Sequence, residues 1–116
     1  MRRLRSVRWI TGRVRECRCE RAFLTSLKKA KPRITALIHA SGLNVIKSLG
    51  HQFSGRGYTC VWLLKQSHVS VHSWPEHGFV TITIEVCDFE GDPGGRAERL
   101  HRSLLRLFRS AKTSKR

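Results

Sequence analysis

The sequence predicts an α+β fold in which an antiparallel sheet carries helices on one face. Three observations predict it. Two segments repeat apolar residues every three to four positions, as amphipathic helices do. Several shorter segments alternate with a period of two or are densely β-prone. Their order, β-α-β-β-β-β-α with turn-sized gaps between the later strands, suits helices laid over one side of an antiparallel sheet. A chain of 116 residues suits a single domain, 1–116, and a 40% apolar content suits a packed core rather than disorder.

Residues 6–17 alternate loosely and read as a strand with an irregularity at Gly12. Phe23, Leu24, Leu27, Ala30, Ile34, Leu37 and Ile38 form one helical stripe. Pro32 falls inside it and removes a backbone hydrogen bond, so a kink or two abutting helices are expected there. Gly42 suits a left-handed residue after the helix. Residues 43–48 are a short strand candidate, and the Gly- and Ser-rich residues 50–57 a loop. Tyr58–Leu64 and residues 69–73 are β-prone, and Lys65-Gln66-Ser67-His68 between them has the length of a hairpin turn. Residues 74–78 form a second turn.

Residues 79–87 then alternate cleanly, with Val80, Ile82, Ile84 and Val86 on one face and Thr81, Thr83, Glu85 and Cys87 on the other. Asp92-Pro93 reads as an N-cap acid followed by proline at the first helical position. Ala97, Leu100, Leu104, Leu107, Phe108 and Ala111 give the last helix its stripe. Residues 1–20 and 110–116, the latter a basic tail, are the segments expected to be least ordered. If both helices cover the Val80 face, the Thr81 face is left to solvent or to a second subunit.

The formal net charge is +15 and lopsided. Residues 1–66 carry fifteen Lys and Arg against two acids, and residues 67–116 eight against six. Such charge bears on partners rather than fold. It makes nucleic acid a candidate partner, but no aromatic–basic recognition motif accompanies it, so this is the disfavoured alternative. Cys17-x-Cys19 is too short for a zinc knuckle and has no matching second pair, so no metal site is expected. No apolar run approaches the ~20 residues of a membrane span. The arginine-rich start lacks the apolar core of a secretory signal. Reduced thiols and a cytoplasmic location are the expectation.

The segment Ser67-His68-Val69-Ser70-Val71-His72-Ser73-Trp74-Pro75-Glu76 resembles the central motif of the short, prokaryotic type of S-adenosylmethionine decarboxylase. That motif reads Ser-His, a three-residue spacer, then His-Ser/Thr-Trp-Pro-Glu. The resemblance runs from about Ser41-Gly42 to Leu100 and takes in His51-x-Phe53, Cys87 and Asp92-Pro93. It implies a pyruvoyl enzyme made by autocatalytic cleavage at Gln66–Ser67, giving chains 1–66 and 67–116.

In such enzymes the serine attacks the preceding carbonyl, the resulting ester is cleaved by β-elimination, and the new N-terminus becomes a pyruvoyl group. That group forms a Schiff base with the substrate amine. The resemblance implies that Ser67 is the pyruvoyl precursor, His72 the processing histidine and Cys87 the proton donor. It also implies that Glu76 holds the ribose hydroxyls and Phe53 stacks on adenine. Gln66 stands where the family usually has glutamate, and Thr59 matches a serine that aids processing. A homodimer, arranged as a four-layer helix–sheet–sheet–helix sandwich, is implied as well.

The expected activity is decarboxylation of S-adenosylmethionine to the aminopropyl donor for spermidine synthesis. Two alternatives stand beside it: a pyruvoyl decarboxylase of another amino acid, and a non-cleaving basic relative that binds nucleic acid.

Overall fold

The computed structural model describes residues 2–109. In chain order it contains β1 (Leu4–Val14), α1 (Ala22–Thr25), α2 (Leu27–Ala40), β2 (Val45–Gln52), β3 (Tyr58–Leu64) and β4 (Ser67–Trp74). A 3-10 turn (Pro75–His77), β5 (Phe79–Phe89) and α3 (Arg96–Arg109) follow. The strands form one antiparallel sheet in the order β1-β5-β4-β3-β2. The fold is the α+β class expected.

One face of the sheet is dry. Val80, Ile82, Ile84 and Val86 of β5, Val69 and Val71 of β4, and Tyr58, Cys60 and Trp62 of β3 are buried on it. They share a core with Ala30, Ile34 and Ile38 of α2 and with Ala97, Leu100, Leu104 and Phe108 of α3. Each large apolar side chain taken from water contributes about 1.5–3 kcal/mol, which makes this layer the main stabilising feature. Thr81, Thr83, Glu85 and Cys87 alternate out to the other face and are half-buried.

Several boundaries differ from expectation, each for a local reason. β1 spans Leu4–Val14 rather than 6–17, and the chain turns away at Glu16, whose φ is +52°. The arginine-rich start, expected to be weakly ordered, pairs with β5 from Leu4 to Val14.

The helix break lies at Ser26 rather than Pro32. Ser26 is extended, and its hydroxyl accepts the Lys29 N–H at 3.2 Å, an N-cap that starts α2 afresh. Pro32 stays within α2, because burial of Ala30, Ile34 and Ile38 outweighs one missing hydrogen bond. β2 runs on to Gln52 and shortens the expected 50–57 loop. The Gln52 side chain accepts the Leu27 N–H (2.7 Å) and donates to the Thr25 carbonyl (2.9 Å), tying that strand end to the α1–α2 junction.

The last helix begins at Arg96, not at Asp92-Pro93. Asp92 instead accepts the Phe89 N–H (2.8 Å) and an Arg96 guanidinium bond (3.3 Å). The hydrogen bond from Phe89, then Arg2, holds the Asp92 carboxyl below its ordinary pKa. Arg96 also pairs with buried Asp88 at 2.8 Å. Ala111 and the basic tail lie outside the described residues.

Gly57 marks a tight crossing. A Cβ there would lie 2.2 Å from the Ser73 carbonyl oxygen. That backbone is fixed, because the Ser73 hydroxyl donates to the Leu24 carbonyl (2.7 Å) and accepts the Tyr58 N–H (2.9 Å). Gly57→Ala is therefore expected to lose about 1–3 kcal/mol of stability through overpacking. Urea unfolding checks this, and an unchanged midpoint would contradict it.

Candidate active site

Ser67 opens β4 directly after a two-residue turn, Lys65-Gln66, that joins β3 to β4. This hairpin sits within the four-residue turn expected. Ser67 has φ = +136°, a conformation that a residue with a Cβ rarely adopts and that stores local strain. Its hydroxyl lies 3.3 Å from Nδ1 of His68.

The carbonyl before Ser67, that of Gln66, accepts the Cys87 backbone N–H at 2.8 Å. A single oriented donor on a carbonyl oxygen polarises it and favours the charge that builds there on attack. The turn is also clamped from β2's approach. Asn44 N–H donates to Oε1 of Gln66 (3.2 Å), Nε2 of Gln66 donates to Oδ1 of Asn44 (3.1 Å), and Lys65 N–H donates to the Asn44 carbonyl (2.9 Å). Only an amide at position 66 makes both side-chain bonds, since a carboxylate has no donor.

A second set of residues gathers at the opposite end of β4. Thr59 and His72 face each other across β3 and β4, with Oγ1 2.8 Å from Nδ1. Phe53 follows β2, half-exposed, with the His51 ring edge-on at 4.6 Å. Glu76 is exposed in the 3-10 turn and borders a shallow depression of about 370 Å³ with Arg21, Thr25 and Arg56. Beside it on the uncovered sheet face, Trp74, His77, Phe79, Thr81 and Arg13 line another of about 410 Å³.

The structure thus brings Ser67 together with Gln66 and the Cys87 backbone, and Thr59 together with His72. It does not bring the two sets together in one chain. Ser67 and His72 are five residues apart on one strand, about 16 Å at ~3.3 Å per residue. The imidazole in hydrogen-bonding reach of the Ser67 hydroxyl is His68, which sequence reasoning passed over although it stands next to Ser67. Asn44 was also missed, and nothing in the sequence marks it, because its role depends on β2 docking beside the turn.

The uncovered face is more apolar than β5 alone suggested. Its flanking strands present Val7 and Trp9 (69% exposed) on one side, and Leu49 (79% exposed), Val61 and Leu63 on the other. Elsewhere, burial raises the thiols of Cys19 and Cys60 and pushes Cys17 up to about 11, which disfavours the thiolate form. Among the described residues no cluster of His, Cys, Asp and Glu suits a metal ion.

The chain matches known proteins along most of its length. Residues 15–116 match the family model described as S-adenosylmethionine decarboxylase. An S-adenosylmethionine decarboxylase proenzyme of Thermotoga maritima is 28% identical over 86 residues, 74% of this chain and 66% of the relative. One of Prochlorococcus marinus is 29% identical over 86 residues, 74% of this chain and 69% of the relative. The chain therefore spans about two thirds of the length of the curated relatives it matches. The crystal structure of adenosylmethionine decarboxylase from Aquifex aeolicus superposes with a TM-score of 0.76 at 26% identity, covering 100% of this chain and 86% of that one. The hairpin serine, the five-stranded sheet with helices on one face and these matches together show that the chain belongs to the S-adenosylmethionine decarboxylase family.

Proposed function

We propose that the chain is a proenzyme that cuts itself between Gln66 and Ser67, and that its product decarboxylates S-adenosylmethionine to the aminopropyl donor for spermidine synthesis. The observation that carries this is the Gln66–Ser67 junction: a strained serine whose preceding carbonyl is held by the Cys87 N–H. Attack of the Ser67 hydroxyl on that carbonyl moves the acyl group from nitrogen to oxygen. β-Elimination then frees Gln66 as a carboxylate and leaves a dehydroalanine on residue 67. Addition of one water and loss of ammonia turn it into a pyruvoyl group. The junction fits that group, since the serine is surface-accessible and next to Cys87. When present, the pyruvoyl carbonyl supplies the electron sink for breaking the substrate's carbon–carboxylate bond.

The remaining work falls to this chain's side chains. Cys87 returns the proton to the substrate α-carbon, Phe53 stacks on the adenine, and Glu76 accepts the ribose hydroxyls. Thr59 orients His72, which assists processing together with His68 at the serine. No helix among the described residues is long and apolar enough to cross a membrane, and the proposed setting is the cytoplasm.

The separation of the two residue sets supports a homodimer. Two uncovered sheet faces packed about a twofold axis, strand directions opposed, lay the Thr59–His72 end of one β4 over the Ser67 end of the other. The exposed Trp9, Leu49, Val61 and Leu63 give that interface its apolar core. Charge repulsion between copies is screened beyond roughly 8 Å at physiological salt, so association is expected to strengthen with salt. Sedimentation velocity is expected to show a dimer. An active monomer at every salt and protein concentration would overturn the arrangement.

Release of labelled carbon dioxide from carboxyl-labelled S-adenosylmethionine tests the activity. Release by the cleaved protein is expected. A cleaved protein that releases none, yet decarboxylates a simpler amino acid, would replace the substrate assignment.

A further inference from the structure

We propose that the solvent face of α3, on the helix-covered side of the sheet, is a binding surface for the phosphodiester backbone of a nucleic acid. Arg99, Arg102, Arg106 and Arg109 are all exposed, and their 3-4-3 spacing places them in one stripe along the helix. The stripe runs for about 15 Å at 1.5 Å per residue.

Its charge is uncompensated. Among the described residues, none of the four pairs with a carboxylate; Arg96 holds Asp88 and Asp92, and Glu98 is taken by Arg8 of β1. Arg99 donates to the carbonyls of Gly94 (3.2 Å) and Ser41 (3.4 Å), and Arg106 to the Ser103 hydroxyl (3.4 Å). These bonds orient the side chains without neutralising them.

Helix stability accounts for only part of the stripe: Arg106 and Arg109 lie in the last turn, where the dipole favours cations, but Arg99 and Arg102 gain nothing from it. Like charges three and four residues apart repel, and Arg99 sits in the first turn, at the positive end of the helix dipole. The basic surface also continues past the helix. Arg18 N–H donates to the Phe108 carbonyl at 3.2 Å, which sets Arg15 and Arg18 beside Arg109 around a shallow depression of about 340 Å³. Among the described residues Glu16 is the one acid lining it.

The occupant follows from chemistry. Every member of the stripe is arginine, whose planar fork matches phosphate oxygens two at a time. An anionic membrane fits less well, because helices that lie on membranes insert an apolar face. The apolar face of α3, with Leu100, Leu104, Leu107 and Phe108, is spent in the core.

Fluorescence anisotropy with a labelled single-stranded RNA, titrated between about 50 and 200 mM salt, tests this through the slope of log affinity against log salt. Each phosphate contact on a single strand contributes about −0.7 to that slope, so the triple variant R102Q/R106Q/R109Q is expected to flatten it by about 2. The charge-matched control R3Q/R5Q/R56Q, at exposed sites outside the stripe, is expected to leave most of the slope. Circular dichroism checks that both triples fold. If the stripe triple does not, R102Q and R109Q singly should each remove about 0.7. Equal losses in both triples would reduce the effect to diffuse charge and overturn the proposal. So would stripe-dependent binding to phosphatidylserine–phosphatidylcholine vesicles with none to RNA.

Discussion

Ser67→Ala is expected to leave the chain as one 13.3 kDa species under conditions in which the parent splits in two. The loss should be complete rather than partial, because no other group can replace the hydroxyl in the acyl shift. His68, with Nδ1 3.3 Å from that hydroxyl, can take its proton in the tautomer with a free Nδ1 but does not replace the oxygen nucleophile. The fold should survive. The Asn44–Gln66 amide pair, the Cys87–Gln66 backbone bond and the Thr59–His72 pair do not use the serine side chain. Alanine keeps a Cβ at φ = +136°, so the local strain remains and only the chemistry is removed. Denaturing gel electrophoresis or intact mass reads the outcome. Splitting of the alanine variant at the same bond would show that another residue drives the cut.

Cys87→Ser is expected to separate processing from turnover. The bond that holds the scissile carbonyl comes from the Cys87 main chain, which serine preserves, so cleavage should proceed. The thiol is the part assigned to returning a proton to the substrate carbon. Positioned general acids contribute about 10²–10⁴-fold, so decarboxylation should fall by at least about a hundredfold. Normal turnover in this variant would remove Cys87 from the chemistry.

Much of the fold was legible from periodicity. The alternation of Val80, Ile82, Ile84 and Val86 and the stripe from Ala97 to Phe108 mark the faces that share the core. Helix ends were less legible, because they depend on partners distant in sequence. Ser26 breaks the first helix where Gln52, on another strand, bonds its flanks. Asp92 fails to cap α3 because Phe89 and Arg96 bond its Oδ2 and Arg2 its Oδ1.

The site was legible as a motif but not as geometry. Ser67 and His72 stand close in sequence, yet a strand carries them apart at ~3.3 Å per residue. Asn44 and the Cys87 N–H reach Gln66 only through sheet order, which no local pattern records. The apolar flanks of the uncovered face likewise emerge only when β1 and β2 take the two edges.

The most direct test of self-processing is the mass of the wild-type chain after incubation. Two pieces are expected, one ending in a free carboxylate at Gln66. The other, 67–116, should lack a serine N-terminus and be lighter than a serine-initiated fragment by the mass of ammonia. It should also react with a carbonyl reagent such as a hydrazide. A chain that stays whole through long incubation, or splits to leave an intact serine at its new N-terminus, would contradict pyruvoyl formation from Ser67.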